Sequence, residues 1–249
     1  MTTPDAVSSE ARQIRENYEA IVRRVRECGG DDVRVVAVTK TFSAHAVNAV
    51  VAAGCSLIGE NYAQDLLEKW PGVDHGHRPE VHFIGRLQSN KVRSLAPIVD
   101  VWQSVDRMSI IDEIARRSPN ARIMLQVNAT GEPDKGGCEM NALTGLLQHC
   151  QVQGLTVVGL MTVGPTDGDI AVARQAFQAT AQQALELGLR EVSMGMTADL
   201  ELAIRRHCTS KLDKDLLDAW RLRADRAADE VDQLVNRPST RSSWSVAGD

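Results

Sequence analysis

The residues best able to do chemistry stand at the ends of apolar runs. Residues 33–40, Val-Arg-Val-Val-Ala-Val-Thr-Lys, have high strand propensity and finish on an amine. A buried strand that delivers a lysine to its C-terminal end puts a nucleophile at the rim of a sheet or barrel, where loop-built sites lie. Such an amine condenses with an aldehyde if its surroundings depress its pKa, whereas a strand-end lysine reaching into water is the ordinary alternative. Other polar residues fall at comparable places: Glu60 and Asn61, His82, Gln103 and Asp106, Asn128, and the segment Ser193-Met-Gly-Met-Thr197. Asn61 and Asn128 also read as turn formers, and His82 as a satisfied core histidine.

The last of these segments is the most informative. Gly195 lets another backbone or a ligand approach closely, and a helix is expected to open just after Met196, at residues 199–206. A helix N-terminus offers free N–H groups and partial positive charge, which suit a phosphate. In closed barrels the usual phosphate seat lies after strands seven and eight, and strand eight neighbours strand one. Lys40 would then stand beside that seat. An aldehyde carrying a phosphate and joined to a lysine describes pyridoxal 5′-phosphate.

Composition narrows the field. The 249 residues are 43% hydrophobic, 24% charged and 4% aromatic, which suits one large α/β domain with an aliphatic core. A net charge of -5 argues against a nucleic-acid partner, which would need a basic face. No apolar run approaches the roughly 20 residues of a membrane span, and the polar N-terminus has no signal-peptide pattern. Cys28, Cys55, Cys138, Cys150 and Cys208 are odd in number and lack C-x-x-C spacing, so reduced cytoplasmic thiols are expected. His75 and His77 lie among Asp, Gly and Arg without a third partner and read as loop residues, so no metal site is expected.

The elements that must position these groups alternate with a steady beat. An amphipathic helix over 8–28 stops at Gly29-Gly30, and strand 33–40 follows it. Seven strand-then-helix units then run to Arg206, with strands at 56–61, 81–85, 99–105, 121–129, 155–163 and 191–196 after the first. Near-continuous Val, Ile and Leu character in strands separated by helices indicates parallel strands covered on both faces. The fold class expected is α/β, a (β/α)8 barrel of the triosephosphate-isomerase type. Its eighth strand is not recognisable after Arg206. Leu212, Leu216, Leu217 and Trp220 recur at helical spacing, and the charged stretch 221–235 also reads as helix. The expected organisation is a barrel over 1–206, then a divergent helical segment and flexible tail over 207–249.

Several blocks carry a resemblance: Val38-Thr-Lys40, Ile58-Gly-Glu-Asn-Tyr-Ala-Gln64, His82-Phe-Ile-Gly-Arg-Leu-Gln-Ser-Asn-Lys91, Gln126-Val-Asn128, Gly159-Leu-Met161 and Ser193-Met-Gly-Met-Thr-Ala-Asp199. In this order they resemble the pyridoxal-phosphate homeostasis protein family, which is related to the N-terminal barrel of alanine racemase. The resemblance covers residues 8–206. It implies that Lys40 holds pyridoxal 5′-phosphate as a Schiff base, and that Ser193, with backbone N–H groups around Gly195 and Met196, helps seat the phosphate. It places Asn61 and His82 at the mouth of the site. It implies a cytoplasmic monomer that buffers the cofactor and hands it to recipient apo-enzymes, without catalytic turnover. Lys91 and Lys135 are further lysines in matching blocks that could capture cofactor transiently. An amino-acid racemase, and a barrel that binds without cofactor, are the alternatives.

One departure accompanies the match. The family's last strand, roughly Val-Arg-Ile-Gly-Thr-Ala-Ile-Phe-Gly, supplies an arginine facing the pyridine nitrogen and a Gly-Thr turn for the phosphate. Nothing in 208–249 matches it, and neither Arg221 nor Arg223 is assigned that role. A divergent barrel closure, a weakened cofactor site and a coding change at the C-terminus are the three readings of that departure.

Overall fold

The computed structural model describes residues 4–209 and 221–224, with side chains over 9–205. It is a closed barrel of eight parallel strands in sequence order, β1 to β8, with β8 pairing back onto β1. The strands are β1 Arg34–Val38, β2 Leu57–Glu60, β3 Glu80–Phe83, β4 Val101–Val105, β5 Arg122–Gln126, β6 Thr156–Met161, β7 Glu191–Met194 and β8 Arg221–Ala224. Between them run α1 Pro4–Glu27, α2 Ala44–Ala52, α3 Ala63–Lys69, α4 Ser89–Leu95, α5 Met108–Arg117, α6 Leu143–Val152, α7 Ile170–Glu186 and α8 Leu200–Thr209.

The packing follows from the sequence pattern. Every residue of β2 and β4 is buried, and β1 and β5 are buried after their first residue, as expected for strands covered on both faces. On α1, Ile14, Ile21 and Val25 repeat at helical spacing and are each at least nine-tenths buried against the core. The helix α7 begins on Asp169, whose carboxylate accepts from the N–H groups of Ala171 and Val172 at 2.7 and 3.1 Å, satisfying two of its free donors. Ser43 occupies the corresponding place before α2 but makes no side-chain cap.

The larger hydrophobic cluster lies between strands and helices. Inside the barrel the apolar groups are fewer: Val38 with Ile84, and Val101 with Met124 and Met161. Val36 joins them, and the buried polar His82, Gln103 and Ser193 share the interior, which matters for the site below.

The described C-terminal strand corrects one expectation. Arg-Leu-Arg-Ala at 221–224 was expected to be helical because it opens a charged stretch; instead it forms β8, in register with Arg34–Ala37 of β1 and paired to Ser193 and Met194 of β7. Without it β1 and β7 would each expose an open edge, and pairing those edges outweighs the local helical preference of four residues. The helix expected over 212–220 and the tail expected over 225–249 lie outside the described residues.

Candidate functional site

Lys40 sits one residue beyond Thr39, which continues β1 by donating its N–H to Gly59 at 3.0 Å. Thr39 to Phe42 form a tight turn, closed by the Phe42 N–H on the Thr39 carbonyl at 3.2 Å. Thr41 in that turn has φ of 66°, a left-handed conformation that a β-branched residue rarely adopts and that costs about 1–3 kcal/mol.

Buried charges hold this turn in place. The Thr39 hydroxyl donates to Glu60 at 2.5 Å, and the Lys69 ammonium donates to the Thr39 carbonyl at 2.6 Å. Lys69 also contacts Glu60 at 3.1 Å and Asp65 at 2.9 Å, and Asp65 accepts the Thr41 N–H at 2.8 Å. Glu60 is fully buried and Lys69 is 7% exposed. Burial pushes the Glu60 carboxyl above its usual range, while Lys69 and the Thr39 hydroxyl pull it back. The Lys40 side chain itself is half-buried, and its ammonium has no hydrogen bond or ion pair among the described residues.

That free amine lines a cleft of about 370 Å³ together with Lys135, Gly164, Thr166, Met196 and Asp199. The cleft gathers the loops after β1, β5, β6 and β7 on the C-terminal rim of the barrel. Gly195, at φ of 83°, turns the chain from β7 toward α8. Thr197 follows, 7% exposed, with a buried hydroxyl that has no partner among the described residues. The Met196 N–H donates to the carboxylate of Asp199, the residue just before α8, and this bond closes the turn that leads into that helix. Across the cleft, Lys135 pairs with Glu132 at 2.8 Å and donates to the Gly164 carbonyl. Glu132 also accepts the Thr166 hydroxyl at 2.5 Å, and these donors, Lys135 first, lower its pKa to about 2.

The expected site residues do not all meet at this cleft. Lys40 and Met196 line it, with Gly195 adjoining. Ser193 and His82 lie deeper and fully buried, linked through the barrel interior. The Ser193 hydroxyl donates to Gln103 Oε1 at 2.7 Å, Gln103 Nε2 meets His82 Nδ1 at 2.5 Å, and His82 Nε2 meets Glu80 at 2.7 Å. Arg122 pairs with the second oxygen of Glu80 at 3.0 Å. His82 was expected at the mouth; both its ring nitrogens are instead engaged inside the barrel, because position 82 points inward from the middle of β3.

Asn61 lines a separate cleft of about 350 Å³ with Tyr62, Arg86 and Lys91, and its buried side-chain oxygen has no partner among the described residues. Its backbone abuts Gly85 so closely that a Cβ there would lie 1.8 Å from the Asn61 carbonyl oxygen. Asn128 is a turn former: its amide donates to the Glu132 carbonyl at 2.7 Å, and its oxygen accepts from Thr130 and Gly131.

The supporting residues Thr39, Thr41, Asp65 and Lys69 escape sequence reasoning. Asp65 and Lys69 are spaced i, i+4 on a short helix, which in sequence looks like an exposed pair, and Thr41 gives no glycine signal for a left-handed turn. Cys28, Cys55, Cys138 and Cys150 are free, and burial raises the Cys138 and Cys150 thiols to about 11 and about 12. Among the described residues no group of three or more His, Cys, Asp or Glu could hold a metal, and no helix is long and apolar enough to cross a membrane.

With this geometry in hand, the chain can be set beside known proteins. The family model described as alanine racemase, N-terminal domain, matches residues 10–211. A pyridoxal phosphate homeostasis protein of Pseudomonas aeruginosa is 36% identical over 210 residues, covering 79% of this chain and 90% of the relative. Among solved structures, PipY of Synechococcus elongatus with PLP bound has a TM-score of 0.72 at 26% identity, covering 86% of this chain and 99% of its own. Alanine racemase from Bacillus anthracis has a TM-score of 0.63 at 15% identity, covering 85% of this chain and 54% of the racemase, and shares the fold. The chain therefore belongs to the alanine racemase N-terminal domain family and, within it, to the pyridoxal phosphate homeostasis proteins.

Proposed function

We propose that this protein binds pyridoxal 5′-phosphate through Lys40, holds it, and releases it to recipient apo-enzymes in the cytoplasm, acting as a monomer. The observation that carries this reading is an amine with no partner among the described residues, sharing one cleft with the start of α8. When bound, the cofactor supplies an aldehyde carbon that condenses with an amine, releasing water. The residues fit it. Lys40 is free to react, and at the Gly195 turn the phosphate would draw on the Thr197 hydroxyl, unpartnered among the described residues, and on the Met196 N–H once that amide exchanged the Asp199 carboxylate for a phosphate oxygen. Ser193, fully buried and bonded to Gln103, would support that seat from below. Asn61 and His82 contribute as the rim and the floor, not as contacts within the Lys40 cleft.

Holding without turnover is supported by the state of the other titratable groups at the cleft. Racemisation needs bases on both faces of the reacting carbon. Besides Lys40, the titratable groups described at the cleft are Lys135 and Asp199, and each is already engaged, with Glu132 and with the Met196 N–H. Addition of pyridoxal 5′-phosphate is expected to give a visible absorption band in the unaltered protein and none in Lys40→Ala. Loaded protein is expected to restore activity to an apo-enzyme that needs the cofactor. Sustained interconversion of D- and L-alanine that disappears in Lys40→Ala would replace this reading with an enzymatic one.

A further inference from the structure

We infer that the buried Glu60–Lys69 pair, together with the half-buried Asp65, is a positioning device for Lys40, holding the residues on either side of it so that its amine is presented to the cleft. The inference rests on the reading of Lys40 given above and extends it to the residues that make that lysine selective.

The geometry is two-sided. On the N-terminal side Thr39 is gripped at both polar ends, its hydroxyl by Glu60 at 2.5 Å and its carbonyl by Lys69 at 2.6 Å. On the C-terminal side the Thr41 N–H is gripped by Asp65 at 2.8 Å. Lys69 joins the two sides, since it contacts both Glu60 and Asp65. A buried ion pair is a weak source of stability, so a fold that needed only to fill this space could do so with apolar groups. Thr41 is meanwhile kept at φ of 66°, a conformation that persists only where the surroundings over-determine it. Both features converge on the one residue between Thr39 and Thr41. Lys40 itself carries no hydrogen bond among the described residues, so its placement depends on these flanks.

The test compares Asp65→Ala, Asp65→Asn and the unaltered chain, because Asp65 lies at the outer end of the cluster and Asn keeps an acceptor for the Thr41 N–H. Each is treated with pyridoxal 5′-phosphate, reduced with borohydride, and mapped by peptide mass spectrometry for the rate of labelling at Lys40 against that at Lys91. Circular dichroism establishes that each variant is folded. We expect Asp65→Ala to lose about tenfold in Lys40 labelling relative to Lys91, the effect of a misplaced reactive group, and Asp65→Asn to recover most of it. Equal relative labelling in Asp65→Ala and the unaltered chain would overturn the inference while leaving Lys40 as the anchor. Failure of the unaltered chain to label at Lys40 would overturn the functional reading itself. If Asp65→Ala does not fold, Thr39→Val against Thr39→Ser makes the same comparison at the other flank, with the same expectations.

Discussion

Lys40 owes its setting to residues 20 to 30 positions away in sequence, and the consequences can be measured one side chain at a time. Removing the Lys69 ammonium leaves Glu60 buried without its counter-ion, so Lys69→Met is expected to cost about 3–5 kcal/mol in denaturant unfolding. The sign of its pH dependence follows from Glu60. Its carboxyl is pushed up by burial, so the folded state favours the protonated form and stability is lost as pH rises through the folded value. Loss of Lys69 removes the attraction that pulled that value back, and the decline should continue to higher pH. Glu132 behaves in the opposite sense: donation from Lys135 and Thr166 lowers it to about 2 from 4.5, so its clasp on the β6–α7 loop is present above pH 4.5 and lost as pH falls through about 2. An NMR titration of the Thr166 amide should report that low midpoint. At this scale the sequence disclosed the amine and the Gly195 turn, because strand propensity and glycine are local signals. It did not disclose that Thr39, Asp65 and Lys69 converge on Lys40, since that meeting is made by the register of β1 against β2.

The elements were legible in proportion to how local their determinants are. The helices α3, α4 and α5 fill the gaps that the alternating pattern leaves between strands, and the strands differ from their expected limits by a few end residues. A tight turn at Met140–Ala142 leads directly into α6, a change in hydrogen bonding that side-chain periodicity does not record. Buried packing sets the cost of perturbing an element. Phe177 on α7 is fully buried, and Phe177→Ala is expected to lower unfolding free energy by about 3–5 kcal/mol. Gly85→Ala tests a backbone contact instead. Its Cβ would collide with the Asn61 carbonyl, so about 3 kcal/mol or more should be lost through displacement of the loops after β2 and β3.

At the scale of the whole molecule, seven strands in sequential order were legible as a barrel, but the eighth, closing strand was not. Four residues, Arg-Leu-Arg-Ala, carry too little local preference to declare a strand, and their pairing with β1 and β7 is a demand of the two open edges. Leu222→Pro, which removes a ladder N–H, should reopen those edges and appear as concentration-dependent self-association in analytical ultracentrifugation. The closed barrel brings the end of β1 beside the start of α8, and the account rests on what that juxtaposition does with a phosphorylated aldehyde. The most direct measurement is the site of covalent capture: limiting pyridoxal 5′-phosphate, borohydride reduction, and a peptide map of every lysine. The mass increase is expected to fall chiefly on Lys40, and pyridoxal, lacking the phosphate, to label it far more slowly. Labelling spread over surface lysines, equal with and without the phosphate, would contradict it.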